Sequence, residues 1–370
     1  PGDVAYRVLG DLPPPGVVVH GVALKPGKPL CLAVAGDTPV VVLPGFPTSA
    51  LFTFHEFVAP VVRRLAGRRD DRRGTRRARM PVRVHSERGR TEYLLVNLVP
   101  GDGLPAAYPL GKGSGSVTTW SRADGFVVLD RNRELLDEGS EIDVTLLGRD
   151  LEPKDLVLIG SHCVGTDLLV AALARRGWSA KSITVGSEGG LLAARRGECD
   201  AAGLHLFDPE SGTYNAPFVD DSIELVPGYG RMQGVVFRRG DPRFEGRTAA
   251  EAVAAVAADE DVVMVNRNRG SGTRVLVDGL LGEARPRGHA NEARTHHAVC
   301  ASVAAGRADF GVAIETVARE ASLGFLPVQE ERYDFAIPRA RRDRDAVRAL
   351  VETLASETFR EELRGRGFRA

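Results

Sequence analysis

An aliphatic run, Val40–Leu43, stops at Pro44-Gly45-Phe46-Pro47, and a helix pattern follows to about Leu65. Two prolines around a glycine forbid a continued strand, so the segment must be a buried strand, a tight turn and a helix start. Thr48 and Ser49 are expected to cap the helix, Pro60 to kink it or begin a new turn, and Gly67 to close it. Free backbone N–H groups at such a helix start suit an oxyanion or phosphate. A second stiff turn precedes it, Lys25-Pro26-Gly27-Lys28-Pro29, where prolines fix φ on both sides of a glycine. Of 49 basic residues only Lys25, Lys28, Lys112, Lys154 and Lys181 are lysine. Two of these in one short loop point to compact charges whose partner is an anion. Taken singly, each Pro-Gly turn is no more than punctuation.

Together and in this order the turns resemble the signatures of the molybdopterin molybdotransferase family, the MoeA-type molybdenum insertases related to the E domain of gephyrin. Lys25-Pro26-Gly27-Lys28-Pro29 and Leu43-Pro44-Gly45-Phe46-Pro47 carry the resemblance, with Phe46 where asparagine is more familiar. The resemblance implies insertion of molybdate into adenylylated molybdopterin, with Mg2+ assisting, by a protein that works as a homodimer. It implies Lys25 and Lys28 as catalytic, anion-holding groups, and Pro44, Gly45, Pro47 and Ser49 as walls of the pterin pocket. Asp3 matches the aspartate that closes an upstream glycine-rich element, and is implied as a catalytic and metal-binding group. That element does not precede Pro1-Gly2-Asp3. The chain is therefore expected to be the C-terminal part of a longer protein, inactive by itself.

A length of 370 residues leaves room for two or three domains with sizeable cores. Net charge is zero, so no bulk field favours nucleic acid or a membrane as partner. Cys31, Cys163, Cys199 and Cys300 are scattered without a C-x-x-C pair and read as small buried residues in a reducing compartment. No apolar stretch is long enough to span a bilayer and no signal sequence is visible, so the expected location is cytoplasmic.

Arg68–Arg79 alternates basic and acidic residues without aromatics and reads as a solvated linker. Beyond it, Val82–His85, Glu92–Leu98, Ser116–Thr119, Gly125–Leu129 and Glu141–Leu147 read as short strands of a small β-barrel or sandwich. Gly113-Ser114-Gly115-Ser116 with Arg122-Ala123-Asp124-Gly125 resembles a pattern of the insertase family's C-terminal barrel domain, but a plain pair of hairpin turns is the preferred reading. Lys112 and Ser114 reach a ligand only if the barrel folds over the pocket.

From Leu151 the pattern becomes alternating strand and helix. Asp155–Ile159, Ser182–Val185 and Val262–Asn266 are expected strands, with helices after Gly160–Asp167, from about Gly190 to Arg196, and through Leu280; this predicts a mainly parallel sheet in each unit. Residues 191–200 echo residues 302–309, each a helix ended by glycine and then Gly-x-x-Asp, which suggests two similar lobes. The layout of 151–370 resembles the type II periplasmic-binding-protein superfamily in the form found in LysR-type effector domains, a domain sometimes fused behind molybdotransferase domains. Each lobe offers one strand-to-helix turn rich in Ser, Thr and Gly. Ser161, Thr166 and Ser187 in the first, and Arg269, Ser271, Gly272, Thr273 and Arg274 in the second, are the expected ligand contacts. The missing Walker lysine argues against a nucleoside triphosphate. His205 reads as a satisfied structural histidine, Tyr333 as a hinge or core aromatic, and His296-His297 as helix surface. No Ser-His-Asp arrangement stands out.

The expected fold is thus α/β and multidomain. Residues 1–70 are part of a molybdopterin-binding α/β domain, 71–148 a small β-barrel, and 149–370 a two-lobed binding domain for a small molecule, with molybdate or tungstate first. A sensor of some other metabolite, without catalysis, is the alternative.

Overall fold

A computed structural model of the protein describes residues 4–68, 74–101, 103–111, 117–148, 154–269, 271–293 and 295–370. The chain divides into two compact units, 1–153 and 154–370. Asp3, Lys112 and Ser114 lie outside the described residues. Among the described residues, no helix is long and apolar enough to cross a membrane.

The first unit opens with α1 (Ala5–Gly10), β1 (Pro15–His20), β2 (Leu24–Lys25), β3 (Cys31–Ala35) and β4 (Thr38–Val42). β3 lies between β1 and β4, antiparallel to both. The aliphatic run is therefore an edge strand with partly exposed residues, not the buried strand expected. A short apolar run does not reveal whether both its faces are covered. The helix also begins early: Phe46 is its N-cap, Pro47 opens α2 (Pro47–Thr53), and Thr48 and Ser49 are buried inside rather than capping. After a π-helical turn over Phe54–Val58, α3 (Ala59–Leu65) restarts with Pro60 in its first turn, where no N–H is needed. Gly67 ends it at φ +65°, as expected.

β5 (Thr75–Arg79), β6 (Val84–His85), β7 (Thr91–Val99), β8 (Ala106–Pro109), α4 (Val117–Arg122), β9 (Gly125–Leu129), β10 (Leu135–Leu136) and β11 (Glu141–Leu146) follow. Pairing runs β7-β8-β5-β11-β9 and closes through β7–β9, which makes the expected small barrel. Ala78, Met80, Leu94, Val96, Val127 and Val144 belong to its buried core. Two expectations fail here. Thr75–Arg79 is not linker but a strand paired with β11, with Ala78 fully buried and Arg77 bridged to Glu141. Its outward guanidiniums hid a strand whose inward position is a small alanine. Ser116–Thr119 is not a strand either, since the described part from Val117 is helical.

The lysine turn and α2 are both fastened to this barrel. β2 runs parallel to β7 and sets Lys25 opposite Glu92. Phe52 on α2 is 1% exposed, with its ring centroid 4.9 Å from Tyr93, 4.7 Å from Trp120 and 5.3 Å from Phe126. Gly27 has φ +129°, and a Cβ there would stand 2.7 Å from Thr53 Cγ2 on α2. Only glycine lets that turn lie against the helix. Phe52→Ala should destabilise the first unit by about 3–5 kcal/mol. Denaturant unfolding followed by Trp120 fluorescence checks this, and an unmoved midpoint would contradict the packing.

The second unit's first lobe holds β12 (Leu156–Gly160), α5 (Val164–Arg175), β13 (Ala180–Thr184), α6 (Gly186–Arg195) and β14 (Ala202–Leu204), with β12 parallel to β13. A hairpin of β15 (Phe207–Asp208) and β16 (Thr213–Tyr214) precedes the long β17 (Ile223–Phe237). The second lobe has α7 (Ala249–Val256), β18 (Met264–Arg267), α8 (Gly272–Leu281), β19 (Glu292–Ala293), α9 (His296–Ala304), β20 (Phe310–Ile314) and α10 (Glu315–Glu320); β18 is parallel to β19 and β20. β21 (Gly324–Pro338) returns to the first lobe, where α11 (Asp345–Ala355) and α12 (Glu357–Gly365) complete the core. β17 and β21 pair antiparallel along nearly their full length, meeting β14 at one end and β20 at the other. The mainly parallel sheet expected is thus confined to each lobe, and an antiparallel ribbon joins the two. Bulges after Val226 and Gln233, beside Pro227, Gly228 and Gly234, break the ribbon's sequence periodicity, which is why it escaped notice.

The sequence echo is a repeated hydrogen-bonding device. After Gly197, Asp200 exchanges two bonds with Val157: its carboxylate accepts the Val157 N–H at 2.8 Å and its own N–H reaches the Val157 carbonyl at 2.8 Å. After Gly306, Asp309 does the same with Val263, at 2.9 and 2.7 Å. Each aspartate is also clamped by two arginines, Arg341 and Arg344 in one lobe, Arg238 and Arg243 in the other.

Candidate functional site

In the first unit a cavity of about 410 Å³ is lined by both signature segments and by the start of β7. Lys25, Lys28, Phe46, Ser49, Arg90 and Glu92 are among its walls. Lys25 is not a free anion holder, because its Nζ lies 2.9 Å from Glu87 and 3.8 Å from the buried Glu92. Ser86 donates to the same Glu92 carboxylate at 2.7 Å. Lys28 is exposed at the cavity, and Arg90 bridges Glu87 at 3.3 Å. Of the expected walls, Ser49 lines the cavity. Pro44 is buried, and Gly45 and Pro47 are exposed, outside the lining. With α2 starting at Pro47, Phe46 and Thr48 take the lining positions instead.

The second unit's cleft is organised by a line of side chains that the sequence did not reveal. Ser161, at the carboxyl end of β12, has its Oγ 2.7 Å from His205 Nε2. His205 Nδ1 is 2.6 Å from Glu331 Oε1, and Arg231 Nε donates to Glu331 Oε2 at 2.5 Å. Arg231 and Glu331 are each 1% exposed. Burial alone would raise the Glu331 pKa, but Arg231 and then His205 outweigh it and hold the carboxyl well below the usual carboxylate range. Arg231 Nη1 has no hydrogen-bond partner among the described residues.

Arg267, at the end of β18, is 8% exposed and lies 3.0 Å from His296 Nδ1. Burial first, and the nearby Arg231 charge second, pull the Arg267 pKa down to about 10. The same burial, with Arg267 and Arg231, holds His296 neutral, its pKa well below the usual value. His296 is therefore a cleft residue and not plain helix surface; His297 is the exposed one of the pair. The order Ser–His–carboxylate matches an acyl-transfer relay. Two buried guanidiniums at its far end favour an anionic ligand over a neutral acyl group.

The expected contacts divide. Ser161 is in the relay, and Ser187 Oγ accepts the His205 N–H at 3.1 Å. Gly272 meets the same group from the other lobe, since a Cβ on it would stand 3.8 Å from both His205 Nδ1 and Glu331 Oε1. Thr166 is spent on the tyrosine hydroxyls, donating to Tyr333 at 3.1 Å, and Thr273 is buried. Tyr333 lies on β21, where the chain crosses between lobes, stacked on Tyr229 at 5.2 Å. Ser271 caps α8 by accepting the Arg274 N–H. Arg269 is exposed, and Arg274 is committed to Asp278 at 2.9 Å and Glu292 at 3.4 Å. Arg274 therefore braces the turn, and the buried guanidinium facing the cleft group is Arg267. A charged residue inside an apolar strand, as in Met264-Val265-Asn266-Arg267, was the signal available in the sequence.

Lys25→Met should destabilise the first unit by about 1–3 kcal/mol, because Glu92 keeps its buried charge and loses its counterion. Glu331→Gln should cost the second unit about 3–5 kcal/mol at neutral pH by leaving Arg231 uncompensated. With its pKa lowered by folding, Glu331 contributes stability above the ordinary carboxylate range and loses it as pH falls. The variant should therefore show a flatter loss of stability below about pH 4. Denaturation midpoints measured across pH with Trp178 as reporter check both the size and the slope.

Three family models match the chain: a PBP (periplasmic-binding-protein) superfamily domain over residues 170–355, the MoeA C-terminal region (domain IV) over 77–147, and a probable molybdopterin binding domain over 2–64. The uncharacterized protein YvgK of Bacillus subtilis is 31% identical over 189 residues, 48% of this chain and 58% of that protein. The molybdopterin molybdenumtransferase of Nostoc is 30% identical over 159 residues, 40% of this chain and 35% of that protein. The chain thus spans little more than half of the first relative and about a third of the second. Among solved structures, a molybdopterin biosynthesis MoeA protein from Pyrococcus horikoshii is 40% identical over 39% of this chain and 34% of its own, with a TM-score of 0.33. The chain belongs to the PBP superfamily, its periplasmic-binding-protein-like unit being fused behind molybdopterin-binding and C-terminal-region segments of the MoeA family.

Proposed function

We propose that the protein serves molybdenum-cofactor biosynthesis as a molybdopterin molybdotransferase, inserting molybdate into adenylylated molybdopterin, and that its second unit binds a small oxyanion, molybdate or tungstate. In this reading residues 1–70 and 71–148 supply the pterin pocket, and 149–370 hold the oxyanion. The supporting observation is the chemistry gathered where the lobes meet. The buried guanidiniums of Arg231 and Arg267 lie in one group with Glu331, His205 and the Ser161 hydroxyl. Guanidiniums and a hydroxyl together are groups that recognise an oxyanion. Holding the substrate beside the transferase would raise its local concentration.

In the pterin pocket Lys28 is the exposed cation offered to a phosphate or oxyanion, since Lys25 is held by Glu87 and Glu92 and Arg90 bridges Glu87. Among the described residues the pocket shows no fitted ligand set for Mg2+. Among the described residues no group of three or more His, Cys, Asp or Glu could hold a metal. The pocket's acid Glu92 is engaged by Lys25 and Ser86, and Asp3 lies outside the described residues.

Calorimetric titration of the whole chain with molybdate, tungstate and sulfate tests the cleft. Tight binding of molybdate or tungstate should fall by about tenfold or more in Arg267→Met, the size of a lost charge-assisted bond. Absence of heat with every oxyanion would sink the reading. For the first unit, Lys28→Met should weaken molybdopterin binding severalfold without lowering the unfolding midpoint.

A further inference from the structure

The face of the ribbon that carries Arg231 and Glu331 continues past them. In the β17–β21 ladder Arg231 stands opposite Glu331, and two residues further along β17 Gln233 stands opposite Gln329, with the register unbroken between the two pairs. Alternate residues of a strand share a face, so Gln233 and Gln329 project on the same side as Arg231 and Glu331. Gln329 is committed there, because its amide donates to the Tyr214 hydroxyl at 2.9 Å. Burial first and the nearby Glu331 charge second push that hydroxyl up to about 12, so Tyr214 belongs to the same surroundings. Gln233 is not committed. It is 3% exposed, and its amide oxygen is buried with no hydrogen-bond partner among the described residues. Arg231 beside it spends Nε on Glu331, while its Nη1 is likewise buried and unpartnered.

Buried polar atoms without a partner destabilise a fold and are few in native proteins. Two of them at successive places on one strand face therefore need a reason. Strand pairing supplies none, since the ladder is made by the backbone, and an apolar side chain of the same length would fill the space without that cost. Both groups suit an oxyanion. A guanidinium N–H brings charge and direction, and an amide turned about its last torsion presents its NH2 in place of its oxygen. Same-face positions on a strand stand about 7 Å apart, a span that two side chains of this length close onto one tetrahedral ion. From the second lobe, a Cβ on Gly272 would lie in van der Waals contact with His205 and Glu331, so this face of the ribbon is met by both lobes.

We propose that Gln233 is a ligand-contacting residue of the cleft, its amide N–H and Arg231 Nη1 donating together to the oxyanion from the ribbon. The inference rests on the reading of the cleft as an oxyanion site. It adds a neutral donor to the charged one, at a position where the protein itself provides the amide oxygen no bond.

The whole chain, unaltered and as Gln233→Met, is titrated calorimetrically with molybdate, tungstate and sulfate, and its thermal unfolding is followed without ligand. Methionine keeps the length of the side chain and removes its polar end. Affinity for whichever of the three anions binds most tightly should fall about tenfold, the size of one lost hydrogen bond to a charged group. The unliganded midpoint should hold or rise, because a buried unbonded amide has been removed. Gln329→Met removes an amide already bonded to Tyr214 and should keep the affinity within about twofold. Unchanged affinity in Gln233→Met overturns the inference and leaves the anion site standing. So does a midpoint that falls in that variant, which would make the amide a brace of the ribbon, and so does an equal loss of affinity in Gln329→Met. No binding of any of the three anions by the unaltered chain overturns both the inference and the oxyanion reading.

Discussion

Glu331 is a carboxylate almost closed to water, and the second unit is arranged to compensate it. Its partner Arg231 lies directly across the β17–β21 ladder, so the pair is set by strand register. A slip of one residue would turn Glu331 to the other face and leave a buried guanidinium unpaired, at several kilocalories per mole. The pair thus pins the ribbon that links the lobes. His205 joins from the end of β14, and Gly272 approaches from the second lobe. One ionised group therefore fixes the strand register, the entry of a side chain from the first lobe, and the charge presented to whatever occupies the cleft.

The ribbon carries a second device beside the first. Tyr229 and Tyr333 stack with an interplanar angle of 2° and are fully buried. Room for them is made by two glycines, since a Cβ on Gly165 would lie 2.3 Å from the Tyr229 ring and one on Gly203 1.9 Å from the Tyr333 hydroxyl. Thr166 and the Ser161 carbonyl bond those hydroxyls, so the first turn of α5 is fastened to the crossing strands. Residues that look like an anion-binding helix start are divided: the Ser161 hydroxyl bonds His205, and Thr166 bonds the stacked tyrosines of the ribbon. In the first unit the same economy holds, where Gly27 lets the lysine turn touch α2 and Phe52 ties α2 to the barrel.

Much of this was legible in the chain. The Pro-Gly turns placed α2 within one or two residues, Gly67 ended α3, and the Gly-x-x-Asp echo marked equivalent corners of two lobes. Such features are local, set by φ restriction, missing N–H groups and short-range hydrogen bonds, and the sequence states them directly. Thr75–Arg79 misled because its one inward side chain is alanine, so charge concealed a barrel strand.

The sequence by itself determined the Pro-Gly turns of the first unit, the lobed layout of the second and the two strand-to-helix turns that meet between the lobes. Only the tertiary structure decided which charges matter there. Arg231 and Glu331 are a hundred residues apart, and Ser161 and His205 forty-four. Apart from its place in the buried strand β18, nothing local separates Arg267, beside His296, from Arg274, spent on Asp278 and Glu292. Burial and pairing across distant strands set the worth of a charge, and neither is a property of the residue's neighbours in the chain.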